Sequence, residues 1–165
     1  MAEAPEIPHL DVLTADKDWA MGLLAGALLI VVCRGPLSEA AIGEINERLL
    51  ALTQERPGQC AYICVIEPSS PPPAGPARRL AITGVSRLGR TLACTAAVIE
   101  GNQFRSTLVR AILTGNAMVR PPAQPSKYFK NTEEMSVWVK KMVPQAGADI
   151  VPSVEVIRQR MPKSG

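Results

Sequence analysis

The chain has one histidine, His9, close to the amino terminus. A Ser-His-Asp or Cys-His arrangement has no other base to draw on, and zinc sites that use histidine lack their ligands. Aromatics are only 4% of the residues and do not interleave with basic residues, which argues against a nucleic-acid surface. The longest uncharged apolar stretch, Ala20–Cys33, is too short for the roughly 20 residues of a membrane span. No basic segment opens the sequence; Glu3, Glu6 and Asp11 stand there instead, so no secretory signal is read and a cytoplasmic location is expected. The four cysteines, Cys33, Cys60, Cys64 and Cys94, lack the two-residue spacing of zinc or redox motifs. Cys60 and Cys64 share a strand face but stand too far apart to bridge, so buried, reduced thiols are expected. Acidic residues are missing altogether from Pro68 to Ile99.

What the chain does have is alternation. The strand-like runs Leu28–Cys33, Cys60–Ile66 and Thr95–Ile99 are each followed by an amphipathic stretch: Ser38–Leu52, Ala77–Leu92 and Phe104–Leu113. That order predicts an α/β fold: one domain with a mixed sheet and helices packed mainly on one face. An earlier strand is expected within Leu10–Leu24, with Gly22 and Gly26 as bends. Most of the fifteen prolines cluster in connections, which suits these elements. Residues 1–9 are expected to be a flexible start, 10–143 the domain, and 144–165 a tail in which Val154–Met161 could dock as a short helix.

The first helix has a readable start in Ser38, an N-cap, with Glu39 in the first turn. Its Ile42, Ile45, Leu49 and Leu52 form one apolar stripe. The second carries Ala77, Leu80, Ala81, Val85, Leu88 and Leu92 at inward spacings. That leaves Arg79, Arg87 and Arg90 on an outer face, with Arg78 nearby. The third is expected from about Asn102 to Thr114, Lys127–Phe129 as a short final strand, and a last helix capped by Asn131 with Glu134 three residues on. Its Met135, Val139 and Met142 are placed inward. Charge is lopsided: ten acidic and four basic residues in 1–67, five acidic and fourteen basic in 68–165. Such asymmetry marks a potential interaction surface.

This order of strands and helices resembles the STAS domain, the fold of anti-sigma-factor antagonists. The segment Tyr128–Met135 through Trp138-Val139 is similar to the strand-plus-helix ending of that family. The resemblance covers about residues 10–143. It implies a bacterial-type regulatory or scaffolding module that binds a protein partner and is not an enzyme. Several members are switched by phosphate on a Ser or Thr at the start of the second helix. The matching place here is Glu67-Pro68-Ser69-Ser70, which makes Ser69 and Ser70 the candidate phosphorylation sites. The family pattern is close to Asp-Ser-x-Gly; this chain has Pro71-Pro72-Pro73 and no Asp.

Chemistry-bearing motifs are few. Glu67 and Glu100 stand at strand ends, where α/β folds place sites, but two lone acids there ordinarily cap or solvate. Gly84-Val85-Ser86-Arg87-Leu88-Gly89-Arg90-Thr91 fits the P-loop spacing with Arg in place of Lys. It falls within an amphipathic stretch, so its glycines are expected to let the helix approach the sheet. No catalytic residue, metal site or cofactor is assigned. The primary expectation is docking of an acidic protein partner by Arg78, Arg79, Arg87 and Arg90, with the Ser69–Pro76 loop beside them. The alternative is a small-ligand or nucleotide site in a strand-end cleft with Glu67, Glu100 and the Arg90 region. A homo-oligomer through an apolar edge strand near Trp19–Leu24 is a third.

Overall fold

The computed structural model describes residues 7–71, 73–102, 123–146 and 149–163. The expected helix over Asn102–Thr114 lies almost wholly outside these residues. Six strands form one mixed sheet in sequential order: β1 (Leu10–Ala15), β2 (Trp19–Leu24), β3 (Leu28–Cys33), β4 (Ala61–Ile66), β5 (Cys94–Ile99) and β6 (Ser126–Phe129). The first three pair antiparallel; β3 to β6 are parallel.

The single early strand expected in Leu10–Leu24 is a hairpin. Asp16-Lys17-Asp18 make its turn, with the Asp18 N–H donating to Asp16 Oδ1 at 3.1 Å. The β2–β3 loop is Ala25–Ala27, closed by the Ala27 N–H donating to the Leu24 carbonyl at 3.0 Å, and its Ala25 (φ 54°) and Gly26 (φ 61°) are both left-handed. The Ala25 N–H donates to the His9 carbonyl at 2.8 Å, so residues 7–9 are held against this turn and do not hang loose. Gly22 is not a bend. It lies inside β2, in register with Ile30, and β2 is an inner strand, not the edge that self-assembly would require.

Helix α1 (Glu39–Glu55) begins as its sequence dictates: Ser38 Oγ accepts from the Ala41 N–H at 3.1 Å. Its stripe of Ile42, Ile45, Leu49 and Leu52 is buried, and Ile45, Leu49 and Leu52 share one core with Leu29, Val31 and Cys33. Helix α2 (Gly75–Ser86) departs from expectation, because none of its residues is buried and it stops before Arg90. It lies beside α1, where Asn46 Nδ2 donates to the Leu80 carbonyl at 3.3 Å. Gly84 therefore makes room for Asn46 of α1 and not for the sheet. A left-handed Gly89 (φ 52°) then opens the single 3-10 turn Gly89–Thr91, which ends the helical run.

Helices cover both faces of the sheet, where mainly one was expected. Sequential parallel strands with right-handed crossovers put their crossover helices on a single face and leave the other bare. That second face is covered by α3 (Thr132–Met142) and α4 (Ile150–Arg160). Asn131 caps α3 through Oδ1, which accepts the Glu134 N–H at 2.9 Å. Met135 and Val139 of α3 and Ile150, Val154 and Ile157 of α4 are fully buried with Ile30, Ile63 and Val98. The segment expected as a tail is thus part of the core, with the docked helix beginning at Ile150. Gly22 explains how α4 gets there: a Cβ at that position would sit 2.6 Å from Ile157 Cδ1. No helix among the described residues is long and apolar enough to cross a membrane.

Candidate functional site at the carboxyl ends of the parallel strands

Cys33, Ile66 and Ile99 are the final residues of β3, β4 and β5 and stand in register. The ladder continues one step further: the Glu67 N–H donates to the Cys33 carbonyl at 2.8 Å and the Glu100 N–H to Ile66 at 2.9 Å. Arg34, Glu67 and Glu100 are therefore three neighbouring side-chain positions across one sheet edge. Open α/β sheets place ligands at such carboxyl ends.

Here the charges answer one another. Arg34 Nε donates to Glu67 Oε1 at 2.7 Å, and Nη2 to Oε2 at 3.4 Å. Arg158, from α4, donates through Nη1 to Glu67 Oε2 at 2.6 Å and to Glu100 Oε1 at 2.8 Å, and through Nη2 to Glu100 Oε2 at 3.2 Å. Glu155 adds an ion pair to Arg158 Nε at 3.5 Å. Glu67 is only 8% exposed. Burial alone would raise its carboxyl pKa, but hydrogen bonds from Arg34 and Arg158 and their charges hold it below the ordinary value. For Arg158 burial acts downward, and Glu100 and Glu67 outweigh it and hold the guanidinium charged. The arrangement is a clamp of two guanidinium groups and three carboxylates that fastens α4 to the strand ends.

The two serines of the following loop also face inward to backbone. Ser69 Oγ donates to the Arg34 carbonyl at 2.7 Å and Ser70 Oγ to Gly35 at 3.0 Å. Ser70 is 3% exposed; Ser69 lies at the surface. Arg79, Arg87 and Arg90 are exposed, Arg78 is half-buried, and none forms an ion pair among the described residues. They do not share one helix face. Arg78 and Arg79 lie in the first half of α2, Arg87 is its C-cap, and Arg90 sits in the turn before β5. That turn is at the amino ends of the strands, since the Ala93 N–H donates to the Cys60 carbonyl at 2.8 Å. The cleft proposed for Glu67, Glu100 and the Arg90 region is not assembled, because Arg90 stands at the opposite ends of β4 and β5. The P-loop-like stretch likewise occupies the end of a helix and a turn, not a strand-to-helix junction.

Sequence reasoning found Glu67 and Glu100 but missed Arg34 and Arg158. Arg34 carried a signal, since it follows a strand as the two acids do. Arg158 carried none, being 91 positions from Glu67. The thiols are free, and Cys33 Sγ and Cys64 Sγ lie 3.8 Å apart on adjacent strands. Among the described residues no three His, Cys, Asp or Glu side chains are grouped to hold a metal ion. A shallow groove of 420 Å³ runs along β6 and α3, where the Phe129 and Trp138 rings are 5.7 Å apart and Lys127 and Lys141 flank them.

No protein-family model matches the chain, and no curated protein or solved structure is similar to it.

Proposed function

We propose that the chain is a non-catalytic docking module, STAS-like and of bacterial regulatory type, that binds an acidic protein partner through the α1–α2 face. The observation that carries this reading is α2. It has no acidic residue, fully buries none of its side chains, and leaves Leu80 38% and Ile82 42% exposed between Arg79 and Arg87. Leu50 of α1, one turn beyond Asn46, is 50% exposed. Exposed aliphatic groups among arginines are the composition of a protein-binding surface, where Arg reads carboxylates and apolar contacts add area. The strand-end carboxylates support the non-catalytic half of the reading, because Arg34 and Arg158 already neutralise them.

Partner capture from cells of the source organism, followed by titration of the purified partner, tests this. Arg79→Glu with Arg87→Glu is expected to weaken binding by about tenfold or more, about 1.4 kcal/mol. Raising the salt concentration should weaken the wild type in the same direction. Unchanged affinity in the double variant overturns the reading. A phosphate switch, if used, falls on Ser69, because Ser70 is enclosed. Ser69→Asp should then alter partner affinity while Ser70→Asp mainly lowers stability.

A further inference from the structure

We propose that Cys64 and Cys33 form a peroxide-oxidisable dithiol, with Cys64 as the attacking sulfur and Cys33 as the resolving one. The two sulfurs are 3.8 Å apart on the neighbouring parallel strands β4 and β3, facing the α1 side of the sheet. They are a diagonal pair, because Cys64 is opposite Val31 and Cys33 opposite Ile66. A bond of about 2.05 Å draws them together by about 1.8 Å, at the strand ends that carry Arg34 and Glu67.

Access separates the two roles. Every residue of β3 is buried, Cys33 included at 2% exposure. On β4 the alternate residues Tyr62, Cys64 and Ile66 are only half-buried, while Ala61, Ile63 and Val65 are enclosed. The reason lies in α2, which packs beside α1 and covers this side of the sheet incompletely: Val85, and Leu88 after the helix, are only partly buried there. A small neutral oxidant can therefore reach Cys64 before Cys33. The other two thiols are differently placed. Cys60 is buried and donates to the Thr91 carbonyl at 3.4 Å, and burial pushes Cys94 up to about 12.

Electrostatics agree with the geometry. The hydrogen bond from Cys33 holds the Cys64 thiol below its ordinary pKa, against burial, and the Tyr62 hydroxyl acts in the same direction. That same bond, and then burial, hold Cys33 protonated. Cys64 is thus the more readily ionised thiol of the pair and Cys33 the one that keeps its proton, and it is the ionised form of a cysteine that reacts as a nucleophile. In the first step the Cys64 thiolate attacks one oxygen of a hydroperoxide. The O–O bond breaks, the other oxygen leaves with a proton as water or alcohol, and Cys64 becomes a sulfenic acid. In the second step Cys33 gives up its proton and attacks the Cys64 sulfur. The S–S bond forms, the S–O bond breaks, and a water leaves. Two thiols lose two electrons and two protons, and the peroxide takes up both.

The test treats the folded full chain with hydrogen peroxide and reads intact mass and peptide maps. The expected product is lighter by two hydrogens, contains one cross-linked peptide joining Cys33 to Cys64, and reverts with dithiothreitol. Cys33→Ser should stop at one added oxygen on Cys64, trapped by dimedone; Cys64→Ser should show neither change. Wild-type protein supplies a readout that needs no variant: Cys64 should be alkylated by iodoacetamide about tenfold faster than Cys94 at neutral pH. Equal alkylation of the two overturns the proposal. So does oxidation that falls on Cys60 or Cys94, or a wild-type mass that stays unchanged while glutathione in the same solution is oxidised.

Discussion

At the scale of single residues, Glu67 is the most consequential side chain. Two guanidinium groups hold its carboxylate at 8% exposure, and removing it would strand both with fewer partners. Glu67→Ala is expected to cost about 3 kcal/mol at neutral pH, measured by urea denaturation. The pH dependence follows from its lowered pKa. A carboxyl held lower in the folded state than in the unfolded chain contributes stability above its unfolded value of about 4.3 and loses it as pH falls through the folded value. Wild-type stability should therefore fall steeply on acidification, and Glu67→Gln should flatten that fall. An equally steep fall in the variant would mean that other carboxylates carry the acid sensitivity. The sequence exposed half of this clamp. Glu67 and Glu100 each end a strand, and strand ends can be read from a run of β-type residues. Their partner Arg158 came from a segment with no turn or cap signal tying it to the sheet, and such long-range pairs leave no local mark.

Among the elements, α1 and α2 show what periodicity can and cannot determine. In α1 the stripe and the Ser38 cap agree, and Leu49 is fully buried where the spacing put it. The same spacing in α2 suggested Leu80 as an inward residue, yet it is 38% exposed. A stripe records amphipathicity, not which surface receives it; α2 turns to α1 because Gly84 admits Asn46. Leu49→Ala should cost about 2–5 kcal/mol in a denaturation experiment, and Leu80→Ala below about 1 kcal/mol. The β2–α4 contact makes a sharper test. Gly22→Ala places a methyl 2.6 Å from Ile157 Cδ1 in a fully enclosed site, an overpacking that costs about 1–3 kcal/mol. Ile157→Val removes that very atom. The double variant should be more stable than the sum of the two singles implies, and strict additivity would show that the contact does not limit the approach of α4.

For the whole molecule, the α/β class was legible because the alternation of strand and helix is written locally. The second helical layer was not. It depends on a property of the assembled sheet, namely that sequential crossovers leave one face uncovered, and only then does the apolar stripe of Ile150, Val154 and Ile157 find its partner. Those three side chains are fully buried, a gross contribution of about 5–9 kcal/mol. A domain's whole net stability is only about 5–15 kcal/mol. Ending the chain at Val143 is therefore expected to abolish the cooperative thermal transition and to raise the binding of an apolar dye. A truncated chain that melts sharply near the wild-type temperature would contradict this.

The docking of α4 on the amino-terminal hairpin also bears on how the chain is born. Ile157 meets Gly22 and Leu10 lies against the same spot, so the strands of this sheet that are made first receive their cover from one of the last helices described. Translation adds about 5–20 residues per second. The hairpin therefore waits for several seconds with an apolar face open, and a nascent-chain chaperone that shields β1 and β2 during that interval would raise the yield of folded protein more than one acting after release.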